Sequence, residues 1–545
     1  MKLTILWIGL ICILSAVLRI IGLDKTGGLW NDEYISWYIS YIPFGKSFVD
    51  NIFAQCHMPF YYLYLKFLML FGQSDFYLRM TSVIPNILAI PVMYMVGREK
   101  SRMTGFLCAL FASVSAFLIY FSQEVRFYSI LFLFSALSLY FTLRIIKKAN
   151  IKNTIGFILF NLLVIFTHTI GFVYVFFDLL FVSIKLFKLH KKIILSCWIF
   201  IFAGCCAILP LIIKIFTTIS FSQWWANFSI QRIIQVFIDY FTPLIFNITP
   251  IETFSGYKEY SALVVIAFLI AITFLLTGFI KKNCREINQV GYIALFTFLV
   301  ILTASYMGKL VLETKYTIEI YPILIFVLFS TITSFSKKRI KIPVLLIFFA
   351  IQIYFIFTPE FSAIAPREEG HKYPAQLLQK AKLKKNDFIV LTYYPKNRFG
   401  RYINFDKYNV VEIHKGNFNE YYTPKLSYKD AVKQGKDKYK STFFEATLPV
   451  GYFKGSKLIY YINDNVYKKM KKGQRVAFLF LDSVSFLDET TFSSIVTDKN
   501  NYFRTPLLYL VFSDIRNEII KTMPKNARNI RYEVLGAWTV VSFSY

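Results

Sequence analysis

The sequence predicts a polytopic α-helical membrane protein of about eleven spans with a C-terminal extracytoplasmic α/β domain. Three observations predict it. Hydrophobic residues make up 56% of the 545 and charged residues only 17%, where soluble chains carry roughly 25% charged. The apolar residues crowd into the first two thirds, in runs near the ~20 residues that a helix needs to cross a bilayer. Short basic knots separate those runs. A mean hydropathy of +0.50 excludes intrinsic disorder, and the composition fits neither collagen nor a disulfide-knotted secreted scaffold.

Only helices or closed barrels satisfy their own backbone in hydrocarbon. The helical runs fall at 3–22, 78–96, 105–122, 126–146, 193–216, 259–280, 287–307, 318–336 and 341–357. The stretch 154–187 is long for one crossing and short for two. Its basic flanks (Lys152; Lys185, Lys188, Lys191) place both ends in the cytoplasm, so a tight hairpin is expected with His168-Thr169-Ile170-Gly171 at its outer turn. The stretch His57 to Gly72 is aromatic and apolar but holds Lys66, and it is expected to lie in the outer interface. Basic knots at Arg98–Arg102, Arg144–Lys152, Lys185–Lys192, Lys281–Arg285 and Lys337–Lys341 then share the cytoplasmic side. The N-terminus falls inside and the C-terminal tail outside. A twelfth crossing through 57–72 is the alternative.

The domains expected are a transmembrane domain over 1–358, with interfacial helices at 33–72, and a soluble domain over 359–545. In the second, Asp387–Thr392 and Arg475–Leu481 read as buried strands, and Pro374–Ala381 and Lys425–Gln434 as helices. The net charge of +29 does not indicate nucleic acid, because much of it sits in the loop knots. The Lys-rich tail suits either an anionic membrane surface or an ordinary solvated face. Seven cysteines, none in the tail, give no disulfide framework or Cys-based metal site. Arg19 and the lack of an A-x-A site favour an uncleaved anchor over a signal peptide at the start. Trp224-Trp225 reads as an interfacial belt, and Asn227 and Asn247 sit in short acceptor-like tripeptides of weak meaning.

The strongest chemical feature is Trp30-Asn31-Asp32-Glu33-Tyr34, two adjacent carboxylates at the start of an amphipathic helix. Such residues cap helices and suit the helix dipole. A carboxylate at the membrane surface is equally placed to act as general base for an acceptor hydroxyl. The second feature is Ser122-Gln123-Glu124-Val125-Arg126-Phe127-Tyr128, wedged between apolar runs where ionisable groups are costly. Glu124 and Arg126 either neutralise each other, or Arg126 and Tyr128 receive a phosphate and a sugar hydroxyl. His57 and His168 read as packing histidines or as site residues. A divalent cation held among Glu33, His57 and Glu124 stays open, without any fixed ligand spacing to support it. Lys315-Tyr316 opens a run on the outer side, where a lysine either snorkels or balances a lipid phosphate.

Taken in order, Asp32-Glu33, His57-Met-Pro-Phe-Tyr-Tyr-Leu, Phe76-Tyr-Leu-Arg79, Gly97-Arg98, Tyr120-Phe-Ser-Gln-Glu124-Val-Arg126-Phe-Tyr128, Thr167-His168 and Lys315-Tyr316 with Pro322 form a set. It resembles the dolichyl-phosphate-mannose protein mannosyltransferase superfamily in its bacterial branch of GT-C glycosyltransferases, relatives of the lipid A aminoarabinose transferases. The match covers roughly 1–360. His57-Met58-Pro59 stands where the family usually has His-Pro-Pro, and Lys315-Tyr316 where it often has Arg-Tyr, so a bidentate guanidinium is missing there.

The resemblance implies inverting transfer of a hexosyl or pentosyl group from a polyprenyl-phosphate donor to a lipid, glycan or protein acceptor outside a bacterial plasma membrane. It makes Asp32 the base, has Glu33 and Glu124 shape the acceptor and sugar pocket, and gives the departing phosphate to Arg126, Lys315 or Arg79. It leaves the need for a divalent cation open. Membrane lipids are expected partners and nucleic acid is not. The alternative is a transporter or flippase, which would place its ionisable groups near the bilayer midplane in repeated halves; here the acids gather towards one face and no repeat is evident.

Overall fold

The computed structural model describes residues 2–23, 27–55, 57–218, 230–241, 258–280, 288–307, 312–336, 338–357, 370–391, 396, 399–412, 422–423, 452–453, 462–481, 523–524, 527–535 and 538–545. Trp224-Trp225, Asn227, Asn247, Cys56, Cys284 and the helix expected at Lys425–Gln434 lie outside them. The chain divides into two compact units, one of Met1–Leu23, Ile35–Gln223 and Phe228–Ala365, the other of Asp24–Tyr34, Trp224–Asn227 and Pro366–Tyr545.

Among the described residues, the regular elements of the first unit are all helices. Its helices are α1 Lys2–Ile20, α2 Asn31–Tyr41 (whose first turn belongs to the second unit), α3 Lys46–Gln55, α4 Phe60–Leu68, α5 Asp75–Arg98, α6 Arg102–Val114, α7 Ala116–Ser122 and α8 Tyr128–Lys147. There follow α9 Ile151–Thr167, α10 Gly171–Leu186, α11 Lys191–Ala207, α12 Leu209–Thr218, α13 Ile230–Phe241, α14 Lys258–Ile280, α15 Gly291–Tyr306, a 3₁₀ run Thr314–Ile320, α16 Tyr321–Thr333 and α17 Lys338–Phe357. Among the described residues, each run expected to cross the membrane falls on helix, with a break inside those at 105–122 and 193–216. Among the described residues four helices are long and apolar enough to cross a bilayer, and the bent pair α6–α7 makes a fifth. Helix α4 has nine residues, about 14 Å of rise, too short to cross alone.

Local chemistry sets the breaks. Ser74, Ser101 and Asn150 cap α5, α6 and α9, each accepting from the amide three residues on, as N-cap side chains do. Gly97 and Gly105 let α5 and α6 touch; a Cβ on either would fall 2.7–2.8 Å from the other helix's backbone, the close approach that small residues permit between membrane helices. The run expected at 105–122 is a single span in sequence, yet it bends by 54° between α6 and α7. Ser115 leaves the helical region there (φ −62°, ψ 115°) and its hydroxyl accepts from the Leu118 amide. Arg19 then takes the freed carbonyls: its guanidinium donates to Ser113 O at 2.8 Å, Ala112 O at 2.9 Å and Ser15 O at 3.2 Å, and through Nε to Asn86 Oδ1 at 2.9 Å. Between α11 and α12 the break at Ile208 precedes Pro210, which cannot supply the ladder's next N–H.

The second unit carries a five-stranded sheet of order β2-β1-β5-β7-β6, with β1 Phe388–Leu391, β2 Asn409–Glu412, β5 Arg475–Leu481, β6 Arg528–Leu535 and β7 Trp538–Ser544; β3 Tyr422–Thr423 and β4 Tyr452–Phe453 form a separate pair. The β1 strand runs parallel to β2 and β5, whereas β7 is antiparallel to β5 and β6. Alternate side chains feed two cores. Phe388, Val390, Val476, Phe478 and Phe543 meet Ile462 and Val466 on one face, while Ile389, Leu391, Ala477, Leu479 and Val540 meet Leu377 and Leu378 of α18 Lys372–Lys380 on the other. Burial of both faces is why β1 and β5 read as unbroken apolar runs.

Candidate functional site

In the first unit the chain between α7 and α8 makes a tight turn, with the Arg126 amide donating to Glu124 O at 2.8 Å. Gln123 ties that turn to the end of α1 by donating to Arg19 O and Ile21 O at 3.1 and 3.3 Å. The turn buries Glu124, Arg126 and Tyr128 together. Phe127 is its hub. His168 stacks on the Phe127 ring at 4.9 Å, His57 meets its edge at 6.1 Å, and the Arg126 guanidinium lies 5.3 Å from its centre. Arg126 also donates to Ser36 Oγ at 3.2 Å and lies 6.0 Å over the Tyr128 ring.

His57 Nδ1 is 2.5 Å from Tyr62 Oη, one turn into α4. Loss of water contact first, and then the neighbouring Arg126 and His168, hold the His57 imidazole well below its ordinary titration range. His168 Nδ1 bonds to the Glu319 carboxylate, and Tyr316 stacks on its ring at 6.3 Å. Glu319 is fully buried, and its Oε2 has no other partner among the described residues. The 3₁₀ run that presents Lys315, Tyr316 and Glu319 is pinned from α13: Thr314 donates to Asp239 Oδ2 at 2.6 Å, and Tyr240 Oη to Thr317 O at 2.6 Å. Lys315 pairs with Glu313 at 3.0 Å and lies over Tyr316 at 5.2 Å. Arg79 is buried in the first turns of α5.

Thus His57, Arg126, Tyr128 and His168 surround one aromatic hub in the first unit, and Tyr316 joins it through His168. Asp32 and Glu33 belong to the second. There Glu33 is fully buried, and its Oε2 accepts from the Trp30 amide at 3.1 Å, the return half of a capping box. Asn31 Nδ2 lies 3.5 Å from the half-buried Asp32 carboxylate. Glu33 thus serves the helix start, and Asp32 follows Asn31 in the same first turn. No group of three His, Cys, Asp or Glu placed to hold a metal occurs among the described residues.

Sequence inspection missed Glu319 and Ser36, and met Tyr62 only as one letter of the His57-Met-Pro-Phe-Tyr-Tyr-Leu run. Glu319 carried a signal, an acid inside an apolar run. Ser36 carried none, because a hydroxyl on an amphipathic helix is unremarkable until its partner is placed.

No protein-family model and no curated protein matches the chain. Solved structures do. ArnT from Cupriavidus metallidurans in the apo state matches with a TM-score of 0.53 at 10% identity, over 98% of this chain and 97% of that one. The same protein bound to undecaprenyl phosphate gives 0.49 at 12%, over 98% of each chain. The Archaeoglobus fulgidus oligosaccharyltransferase in complex with Zn and sulfate gives 0.43 at 10%, over 97% of this chain and 72% of that one. At such identities the apo ArnT match shows the fold alone: this chain shares that protein's fold over nearly its whole length.

Proposed function

We propose that this chain is an integral-membrane glycosyltransferase that moves a sugar from a polyprenyl-phosphate donor to an acceptor hydroxyl at the outer face of the membrane, with inversion. The observation that carries this is the cluster of Arg126, His57 and His168 around Phe127, with Tyr316 stacked on His168, in a chain with the apo ArnT fold over nearly its whole length. A cation stacked on aromatic rings and anchored by Ser36 is suited to an anionic oxygen in a site poor in water.

In this mechanism Asp32 takes the proton of the acceptor hydroxyl. The acceptor oxygen attacks the anomeric carbon from the face opposite the phosphate. The bond from that carbon to the phosphate oxygen breaks, and its electron pair leaves on the polyprenyl phosphate. Arg126 stabilises that growing negative charge, with Arg79 and Lys315 as further cations; Lys315 already answers Glu313, which weakens its claim. Glu124, buried in the same turn as Arg126, shapes the sugar pocket beside Tyr128. Glu33 holds the start of α2, and so the direction of Asp32.

A transporter is the alternative, and one observation favours it. Asp178 is fully buried in α10, as proton-relay acids are. Its carboxylate, however, accepts from Thr142 at 2.8 and 2.9 Å, Ser138 at 3.1 Å and Asn161 at 3.1 Å, which suits a packing polar network.

The deciding experiment compares envelope lipids, glycans and proteins by mass spectrometry in cells with the gene, without it, and with Asp32→Asn. A glycosyl mass increment present only with the wild-type chain is expected. Near-normal transfer by Asp32→Asn would reject Asp32 as the base, and no increment in any fraction would reject glycosyl transfer.

A further inference from the structure

The segment carrying Asp32 and Glu33 is built into the C-terminal unit. Gly27 and Gly28 take positive φ, +59° and +86°, a conformation that favours glycine. A Cβ on Gly27 would sit 2.2 Å from the Tyr373 ring, and one on Gly28 would sit 2.7 Å from Lys372 Cβ and 2.9 Å from the Tyr402 hydroxyl. Hydrogen bonds cross the same junction. The Leu29 amide donates to Tyr402 Oη at 2.8 Å, the His371 amide to Leu29 O at 3.0 Å, and the Lys372 amide to Gly27 O at 2.8 Å. Further along, Tyr34 packs on the His371 ring at 5.7 Å, and Phe399 and Trp538 hold that ring from other sides.

We propose that the C-terminal domain is a positioning device for the catalytic segment: Tyr402 and the His371–Lys372 backbone fix Gly27–Tyr34, and thereby aim Asp32. This rests on Asp32 acting as the base. It gives the domain a part in the chemical step rather than only in acceptor recognition. The physical requirement is plain. A general base must lie within hydrogen-bond reach of its proton, and displacement by about 1 Å can cost on the order of a hundredfold in rate. A glycine-containing loop supplies little rigidity of its own, so its aim must come from what it is bonded to.

The test uses the full-length chain in lipid nanodiscs, with Tyr402→Phe, Gly28→Ala and Asp32→Asn. Hydrogen exchange followed by mass spectrometry reads the 27–34 peptide, and transfer kinetics use the donor identified by the envelope comparison. Tyr402→Phe removes one hydroxyl and leaves the ring, so folding should survive even if Gly28→Ala does not. Exchange in 27–34 is expected to rise about fivefold or more while α5 peptides stay unchanged. The kcat is expected to fall roughly tenfold with donor KM unchanged. Asp32→Asn should abolish transfer without altering exchange. Unchanged exchange in Tyr402→Phe would overturn the proposal, as would faster exchange with an unchanged kcat. Retained transfer by Asp32→Asn would instead overturn the premise about the base, and it is seen in a separate variant.

Discussion

His168 and Glu319, 151 positions apart, are joined by a buried hydrogen bond through imidazole Nδ1, and the carboxylate has no second partner among the described residues. Removing the imidazole strands that acid in the interior. His168→Leu is therefore expected to cost about 3–5 kcal/mol, while His168→Leu combined with Glu319→Leu recovers most of the loss. Thermal unfolding of the three proteins in one detergent checks this. A double variant less stable than the single one would show that the pair is not the buried polar unit described.

Arg126 holds its plane against two rings and donates to Ser36. Lysine keeps the charge but neither the plane nor the fork. If the proposed transfer holds, Arg126→Lys should weaken binding of a polyprenyl phosphate about tenfold, with a smaller effect on stability. Titration of the purified protein with that lipid reads the change, and equal affinity in the two proteins would remove Arg126 from the phosphate site.

Burial, reinforced by Arg126 and His168, keeps the folded-state pKa of His57 below its unfolded value. The unfolded chain therefore binds a proton that the folded one resists. This contribution to stability is complete above the unfolded pKa, about 6.5, and is lost as pH falls towards the folded value. Between about pH 7.5 and 5.5 the wild type should lose roughly one to three degrees more of Tm than His57→Gln. Parallel melting curves across that window would contradict the assignment.

The outer-face placement has its own check. Single cysteines at Phe44 and Tyr41, both exposed, are expected to react with an impermeant thiol reagent from outside intact cells, in a background lacking the native cysteines. Cysteines at Lys148 and Lys188 in the basic knots should react only after permeabilisation. Reversed labelling would invert the topology and end the case for an extracytoplasmic reaction.

Much of this architecture is legible because apolar runs and basic knots are local signals. The hairpin at 154–187 separates at His168–Ile170, where its turn is expected, and β1 and β5 lie where unbroken apolar stretches mark them. The bend at Ser115 is not legible. Serine continues a helix readily, and this break is completed by Arg19, more than ninety residues earlier in the chain. The hub is legible in part: Arg126, His57 and His168 stand out as polar groups in apolar surroundings, whereas Ser36 and Tyr62 acquire meaning only from their partners. The attachment of Gly27–Tyr34 to Tyr402 is a contact 373 positions apart, for which no periodicity or spacing rule exists.

The four oxygens around Arg19 bear on how the chain is made. One lies a single turn back in α1, but the other three belong to Asn86, Ala112 and Ser113, which leave the ribosome 67, 93 and 94 residues later. Until then the guanidinium must remain near water or headgroups. The first helix can thus settle to its final depth only when α5 and the broken α6 arrive beside it, so biogenesis of this domain begins with three segments seated together rather than one at a time.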